Sequence, residues 1–303
     1  MEKMDRRSRQ YTEAVIKKKS QEDPMEIAIR EKIGQTVLEK LWARGAFSEI
    51  RQLQIDYLKN AIGHIENPET VHDITQEVVK RIAELLRTKI VEGGELLAKV
   101  PKGSPALVMA NHLGAYKLTA ISPKKDLGID IPGYDAMYPY PMYFAALEPV
   151  AREIDDNLYY VSEDFPLIFG QIHTEAGFVY VPPASIKIER GRTVFLTEET
   201  REAINNRRNG AYVNFPEGGT SGKYSGLGPY DLDPFRTGGY VVAANLNIHI
   251  IPVAQYFDKE EGYQLKVLEP LIPEVTDKEG YQKIADGHRA EMQDWLNECQ
   301  GKR

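Results

Sequence analysis

The chain has 303 residues, 42% of them hydrophobic and 27% charged, and a formal net charge of −7. That length holds one large domain, or one domain with a smaller helical unit, around a sizeable core. The acidic balance lacks the basic footprint of a general nucleic-acid binder, and the single cysteine, Cys299, leaves no disulfide framework within the chain. A reducing, cytoplasmic setting is the expectation.

The opening, MEKMDRRSRQYTEAVIKKKS, has no apolar central region of the kind a signal peptide carries. Its basic residues Arg6, Arg7, Arg9 and Lys17 to Lys19 read as a solvated charged helix or as a peripheral contact with the anionic inner face of a membrane. No run reaches the ~18 apolar residues of a membrane span. The nearest, Tyr240 to Ala254, is interrupted by Asn245, Asn247 and His249.

Three helical stretches are predicted next, at about Met25 to Ala46, Ser48 to Ile65, and Val71 to Val100. In the third, Val71, Ile74, Val78, Ile82, Leu85 and Leu86 make one apolar stripe. Thr70 with Asp73 is a plausible cap, and Gly93-Gly94 an interruption or end. These stretches form an N-terminal helical extension over residues 1–100.

From Pro105 the pattern changes to short apolar runs that end in polar or Gly-rich corners: Ala106 to Ala110, Gly177 to Val181, Ala211 to Phe215 and Ile248 to Ala254. A helical pattern at Thr197 to Arg208 separates two of them. Buried strands alternating with helices predict an α/β domain over residues 101–303, with its site at strand ends. The aromatic, Pro-rich stretch Ile129 to Val150 reads as an irregular packed loop, as an apolar lining for an acyl chain, or as a membrane-facing surface. The last helix opens on Thr276 and Glu279 as a capping box and buries Tyr281, Ile284, His288, Met292, Trp295 and Leu296. His288 on that stripe reads as a core or rim histidine, and Cys299 as a structural thiol.

Several motifs fail. Gly222-Lys223 is followed by Tyr224 and preceded by Glu217 where a phosphate loop needs Gly. Neither Ser221 nor Ser225 sits in a nucleophile elbow. The histidines lack zinc spacing, so no metal is expected.

Four blocks then follow one order. Asn111-His112 ends the first apolar run, where an imidazole can accept a proton from a bound hydroxyl. Ile186-Lys187-Ile188-Glu189-Arg190-Gly191-Arg192 ends in guanidinium groups suited to phosphate or carboxylate. Phe215-Pro216-Glu217-Gly218-Gly219-Thr220-Ser221-Gly222 runs from a strand into a tight turn whose glycines admit close approach to backbone amides. Ile251-Pro252-Val253 places Pro in a strand, which marks an edge or the sheet's end.

This order resembles the four blocks of the glycerol-3-phosphate and lysophosphatidate acyltransferase family. Phe235-Arg236-Thr237-Gly238 and Leu268-Glu269-Pro270-Leu271 resemble two further stretches of it. The similarity covers roughly residues 100–275 and leaves the N-terminal helices outside. It implies a single mixed sheet flanked by helices, and transfer of a fatty acyl group from acyl-CoA or acyl carrier protein to a hydroxyl of glycerol-3-phosphate or a lysophospholipid, in phospholipid biosynthesis. The acyl carrier is a co-substrate, and no cofactor is implied. His112 would be the general base, with Asn111 beside the substrate. Arg190 would bind the acceptor's anionic head, Glu217, Gly218, Gly219 and Thr220 would shape its pocket, and Pro252 would be structural near the acyl donor.

Two departures stand out. Lys117 occupies the position of the family's Asp, the carboxylate that holds the imidazole. Ser221 stands where the third block's arginine would be, leaving Lys223, Arg192 or Arg236 to replace it, or an acceptor without phosphate. Three readings follow: an active enzyme in which another acid, Glu217 for one, serves His112; an active enzyme in which Lys117 contacts an anionic acceptor; or a catalytically silent protein that binds lipid or acyl carrier.

Overall fold

The computed structural model describes residues 46–113, 121–130, 141–154, 157–162, 179–180, 186–189, 192–195, 210–219, 221–222, 225, 228, 230–258 and 260–301. The expected helix from Met25 lies outside them up to residue 45, and the expected helix Thr197 to Arg208 lies outside them entirely.

Helix α1 (Ala46–Gly63) buries Ile50, Gln54, Tyr57, Leu58 and Ala61, a spacing that puts one face inward. Helix α2 (Pro68–Leu86) buries Val71, Thr75, Val79, Ile82, Ala83 and Leu86. Its cap is Asn67, whose side chain accepts from the Thr70 amide at 3.3 Å, with Pro68 at the first helical position. The Thr70 cap expected from sequence is thus displaced by a better one upstream. The helix also stops short of Val100. Arg87 takes a left-handed conformation (φ 52°) and its N–H returns to Ala83 and Glu84, after which the chain runs straight into strand β1 (Lys89–Glu92).

Strands β2 (Ala106–Ala110), β3 (Asn157–Ser162), β4 (Val179–Tyr180), β7 (Gly210–Asn214), β8 (His249–Asp258) and β9 (Gly262–Val267) join β1 in a seven-stranded sheet ordered β1-β9-β8-β2-β7-β3-β4. Every described pairing is parallel except β8 with β9, so the sheet is mixed. The β8–β9 reversal passes through Gly262 (φ +95°), where an added Cβ would lie 2.4 Å from the Leu86 carbonyl oxygen at the end of α2. Only glycine meets both demands. Strands β5 (Ile186–Glu189) and β6 (Arg192–Phe195) form a separate antiparallel ribbon from the second sequence block.

The central strands explain the layers. All of β2 is buried, and its residues divide by period two: Leu107 and Met109 join one apolar cluster, Ala106, Val108 and Ala110 the other. The first holds Tyr240 and Val241 of α5 (Gly238–Leu246) and Tyr281, Met292 and Trp295 of α6 (Lys278–Cys299). The second holds Tyr57, Leu58 and Val79 of α1 and α2, with Phe144 of α3 (Pro141–Ala145) and Val150 of α4 (Glu148–Glu153). Helices therefore cover both faces, an α/β architecture. Ile50, Ile82 and Leu86 reach the first cluster as well. The described part of residues 1–100 is thus built into the same cores as the sheet, and β1 is one of its strands; no separate core marks off the helical extension expected there.

Three further expectations meet the structure. The aromatic stretch has two short helices, α3 and α4, in its described part, with Phe144, Leu147 and Val150 fully buried. The cap of α6 is Asp277, whose carboxylate accepts from Gly280 at 2.8 Å, one residue later than Thr276. His288 on α6 is buried beside the Tyr240 hydroxyl, 3.2 Å from its Nδ1, and burial pushes its pKa down to about 4. The apolar run from Tyr240 is split into α5 and β8 by Asn247 in a left-handed cap (φ 53°). Among the described residues, no helix is long and apolar enough to cross a membrane.

Candidate active site

Strands β8, β2 and β7 lie side by side and parallel, so their C-terminal ends share one edge of the sheet. Met109 is in register with Asn214 on one side and Pro252 on the other. Three of the four sequence blocks therefore meet at this edge: Asn111-His112 after β2, Phe215-Pro216-Glu217-Gly218 after β7, and Ile251-Pro252-Val253 within β8. Pro252 is not at the sheet's edge. Its carbonyl accepts from Leu268 at 2.9 Å, on the side where β9 has just left the ladder at Val253–Val267. The missing N–H faces that same side, so no ladder bond is lost.

Asn111 is wholly enclosed, and its side chain joins β2 to β8. Its amide Nδ2 donates to the Gln255 carbonyl (3.1 Å) and its Oδ1 accepts from the Gln255 N–H (2.6 Å), while Gln255 Nε2 donates to the Asn111 carbonyl (2.7 Å). Asn111 was expected against substrate; it is a strand clamp instead, because both polar ends of its amide face Gln255.

His112 is half-buried, with its ring stacked on Phe215 at 4.3 Å between centroids and 28° between planes. Its backbone is held on both sides. The Ser221 N–H donates to the His112 carbonyl (2.7 Å), and the His112 N–H is shared between Ser221 Oγ (3.1 Å) and Glu217 Oε1 (3.3 Å).

Glu217 has 1% of its surface exposed. Its Oε1 accepts from the Ser221 hydroxyl (2.6 Å) and the His112 N–H, and its Oε2 accepts from the Asp233 N–H (2.9 Å). Burial is the dominant influence and pushes this carboxyl up to about 7; the nearby Asp233 carboxylate adds to the rise, and the three donors oppose it. The carboxyl thus ties together the chain after β2, the turn after β7 and the segment leading to α5. It meets His112 at the backbone, so Glu217 is a structural hub and not the acid that serves the imidazole, as one reading of the sequence had it.

The turn after Glu217 carries Gly218 (φ +70°), where an added Cβ would lie 2.5 Å from Cζ of Arg236. The glycine lets the backbone turn and lets the guanidinium rest against it. Arg236 is exposed at this rim, and its N–H donates to the Pro216 carbonyl at 2.8 Å. Gly219 is half-buried beside it. Arg192 stands opposite Glu189 on the β5–β6 ribbon. Lys117, Arg190, Thr220 and Lys223 lie outside the described residues.

Sequence reasoning missed Ser221, Gln255 and Asp233 as organisers of this edge. Gln255 continues the alternation of Ile251 and Val253, a weak signal of a polar group at the strand's end. Ser221 and Asp233 gave none, since each acts on backbone groups distant in sequence.

What results is an α/β protein with a half-exposed imidazole fixed at the C-terminal edge of parallel strands, where such sheets place their ligands. No protein-family model matches the chain, and no curated protein matches it in sequence.

Proposed function

We propose that this chain is an O-acyltransferase that moves a fatty acyl group from acyl-CoA or acyl carrier protein to a hydroxyl of glycerol-3-phosphate or a lysophospholipid. The observation that carries the reading is the convergence of three family-like blocks on adjacent parallel strand ends, with His112 among them. In the reaction the imidazole takes the proton of the acceptor hydroxyl as its oxygen attacks the thioester carbonyl. The C–S bond then breaks and the proton passes to the departing thiolate. Such general-base assistance contributes typically 10²–10⁴-fold in rate. Arg236 at the rim supplies a cation for the acceptor's phosphate. The enzyme would work in the cytoplasm or peripherally on a membrane that presents its lipid substrate.

A second reading is favoured by two observations: Lys117 replaces the family's acid, and both oxygens of Glu217 are engaged elsewhere. In it, the protein binds lipid or acyl carrier without catalysis. Thiol release from palmitoyl-CoA and palmitoyl acyl carrier protein, with glycerol-3-phosphate or lysophosphatidate as acceptor, separates the two. Acceptor-dependent release by the wild type that is lost in His112→Ala supports the enzyme. No release from a folded protein that retains palmitoyl-CoA supports the binding protein.

A further inference from the structure

His112 leaves β2 with both of its backbone groups held by a single residue across the site. Ser221 donates its own N–H to the His112 carbonyl at 2.7 Å and offers Oγ to the His112 N–H at 3.1 Å. The same hydroxyl donates its proton to Glu217 Oε1 at 2.6 Å, and Glu217 Oε1 lies 3.3 Å from the His112 N–H. Ser221 has no exposed surface. A hydroxyl suits this place because it must accept from an amide and donate to a carboxyl at once. With the backbone fixed on both sides, only two side-chain torsions remain to place the ring, and Phe215 stacks on its face at 4.3 Å.

We infer that Ser221 is a positioning residue for His112: the turn after β7 sets where the imidazole stands, acting through the backbone and never touching the ring. This rests on the reading of His112 as the general base. It also changes the meaning of the serine found in place of an arginine. That position faces the base's backbone from inside the fold, and not the solvent from which an anionic acceptor would come.

The test uses the full chain with Ser221→Ala and Ser221→Thr, and reads His112 twice. The first readout is the imidazole Cε1–H resonance, assigned by its loss in His112→Gln, followed through a pH titration. The second is kcat and KM for transfer from palmitoyl-CoA to glycerol-3-phosphate. In a folded Ser221→Ala protein the resonance and its titration midpoint should move. Its kcat should fall by about 10- to 100-fold, as for a base displaced by a fraction of an ångström to an ångström, with KM within about twofold. Ser221→Thr, which keeps the hydroxyl, should recover most of both. An unmoved resonance in Ser221→Ala overturns the inference. If the wild type transfers nothing, the acyltransferase reading fails while the resonance still decides the positioning. Should Ser221→Ala not fold, amide exchange in the wild type decides: the His112 N–H should be strongly protected, and free exchange there refutes the clamp.

Discussion

Replacing Glu217 by Gln removes a titrating group from the centre of the site while keeping its shape. The carboxyl, ordinarily at 4.5, is raised to about 7 by burial, so the folded state binds its proton more tightly than the unfolded chain. The sign follows directly. Stability linked to this group is fully present below pH 4.5, declines as the unfolded chain alone ionises, and is lost once the pH has risen through 7. The whole effect corresponds to about 3 kcal/mol, of which about 2 to 3 kcal/mol falls between pH 5 and pH 8. Gln carries no such dependence, although its amide can accept at only one end. One of the donors on His112, Ser221 and Asp233 is therefore left poorly matched, a pH-independent cost of about 1–3 kcal/mol. Urea unfolding of wild type and Glu217→Gln at several pH values from 5 to 8, compared at each pH, separates the two terms, because every other titrating group is common to both proteins. The wild type's advantage should shrink by about 2 to 3 kcal/mol across that range. A constant difference would mean that the carboxyl titrates near 4.5 in the folded protein, and that three donors outweigh burial after all. A growing advantage would mean that they hold it below that value.

The other substitutions probe the clamp, the turn and the lysine. Asn111→Ala should destabilise by about 2–4 kcal/mol, since it orphans the Gln255 N–H and carbonyl in the core, and should speed amide exchange at Gln255; a raised KM with unchanged stability would instead make Asn111 a substrate contact. Gly218→Ala should cost about 1–2 kcal/mol for a left-handed residue, plus whatever Arg236 loses on being displaced, and a double-mutant cycle with Arg236→Ala should show the coupling that the 2.5 Å approach predicts. Lys117→Asp should raise KM for glycerol-3-phosphate in an enzyme that uses the lysine to hold the acceptor's anion, whereas transfer appearing only in the variant would identify the wild type as catalytically silent.

The strands at the centre of the sheet were legible because they are covered on both faces. Ala106–Ala110 and Ile250–Ala254 read as unbroken apolar runs bounded by polar corners, and both are fully buried. The outer strands were not, for the complementary reason. β1 is largely exposed, and its Glu92 and Lys266 of β9 pair across the ladder, so charge obscures the alternation. The stop of α2 at Arg87 was illegible too, since a left-handed arginine leaves no mark that a glycine would have left.

The same distinction divides the site. His112 and Glu217 were found because each follows an apolar run and so had to stand at a strand's end. Their partners were not, because Ser221, Asp233 and Gln255 act on backbone groups, and a hydrogen bond to backbone places no demand on the identity of the residue that receives it. This also explains why the third block misleads when read alone. A serine where an arginine is expected looks like a lost anion contact. In the fold that position is fully enclosed beside a buried carboxyl, where a guanidinium would have to displace the hydroxyl that joins Glu217 to His112. Any cation that meets the acceptor must come from the rim, and at this turn the described residues place Arg236 there, held against Gly218.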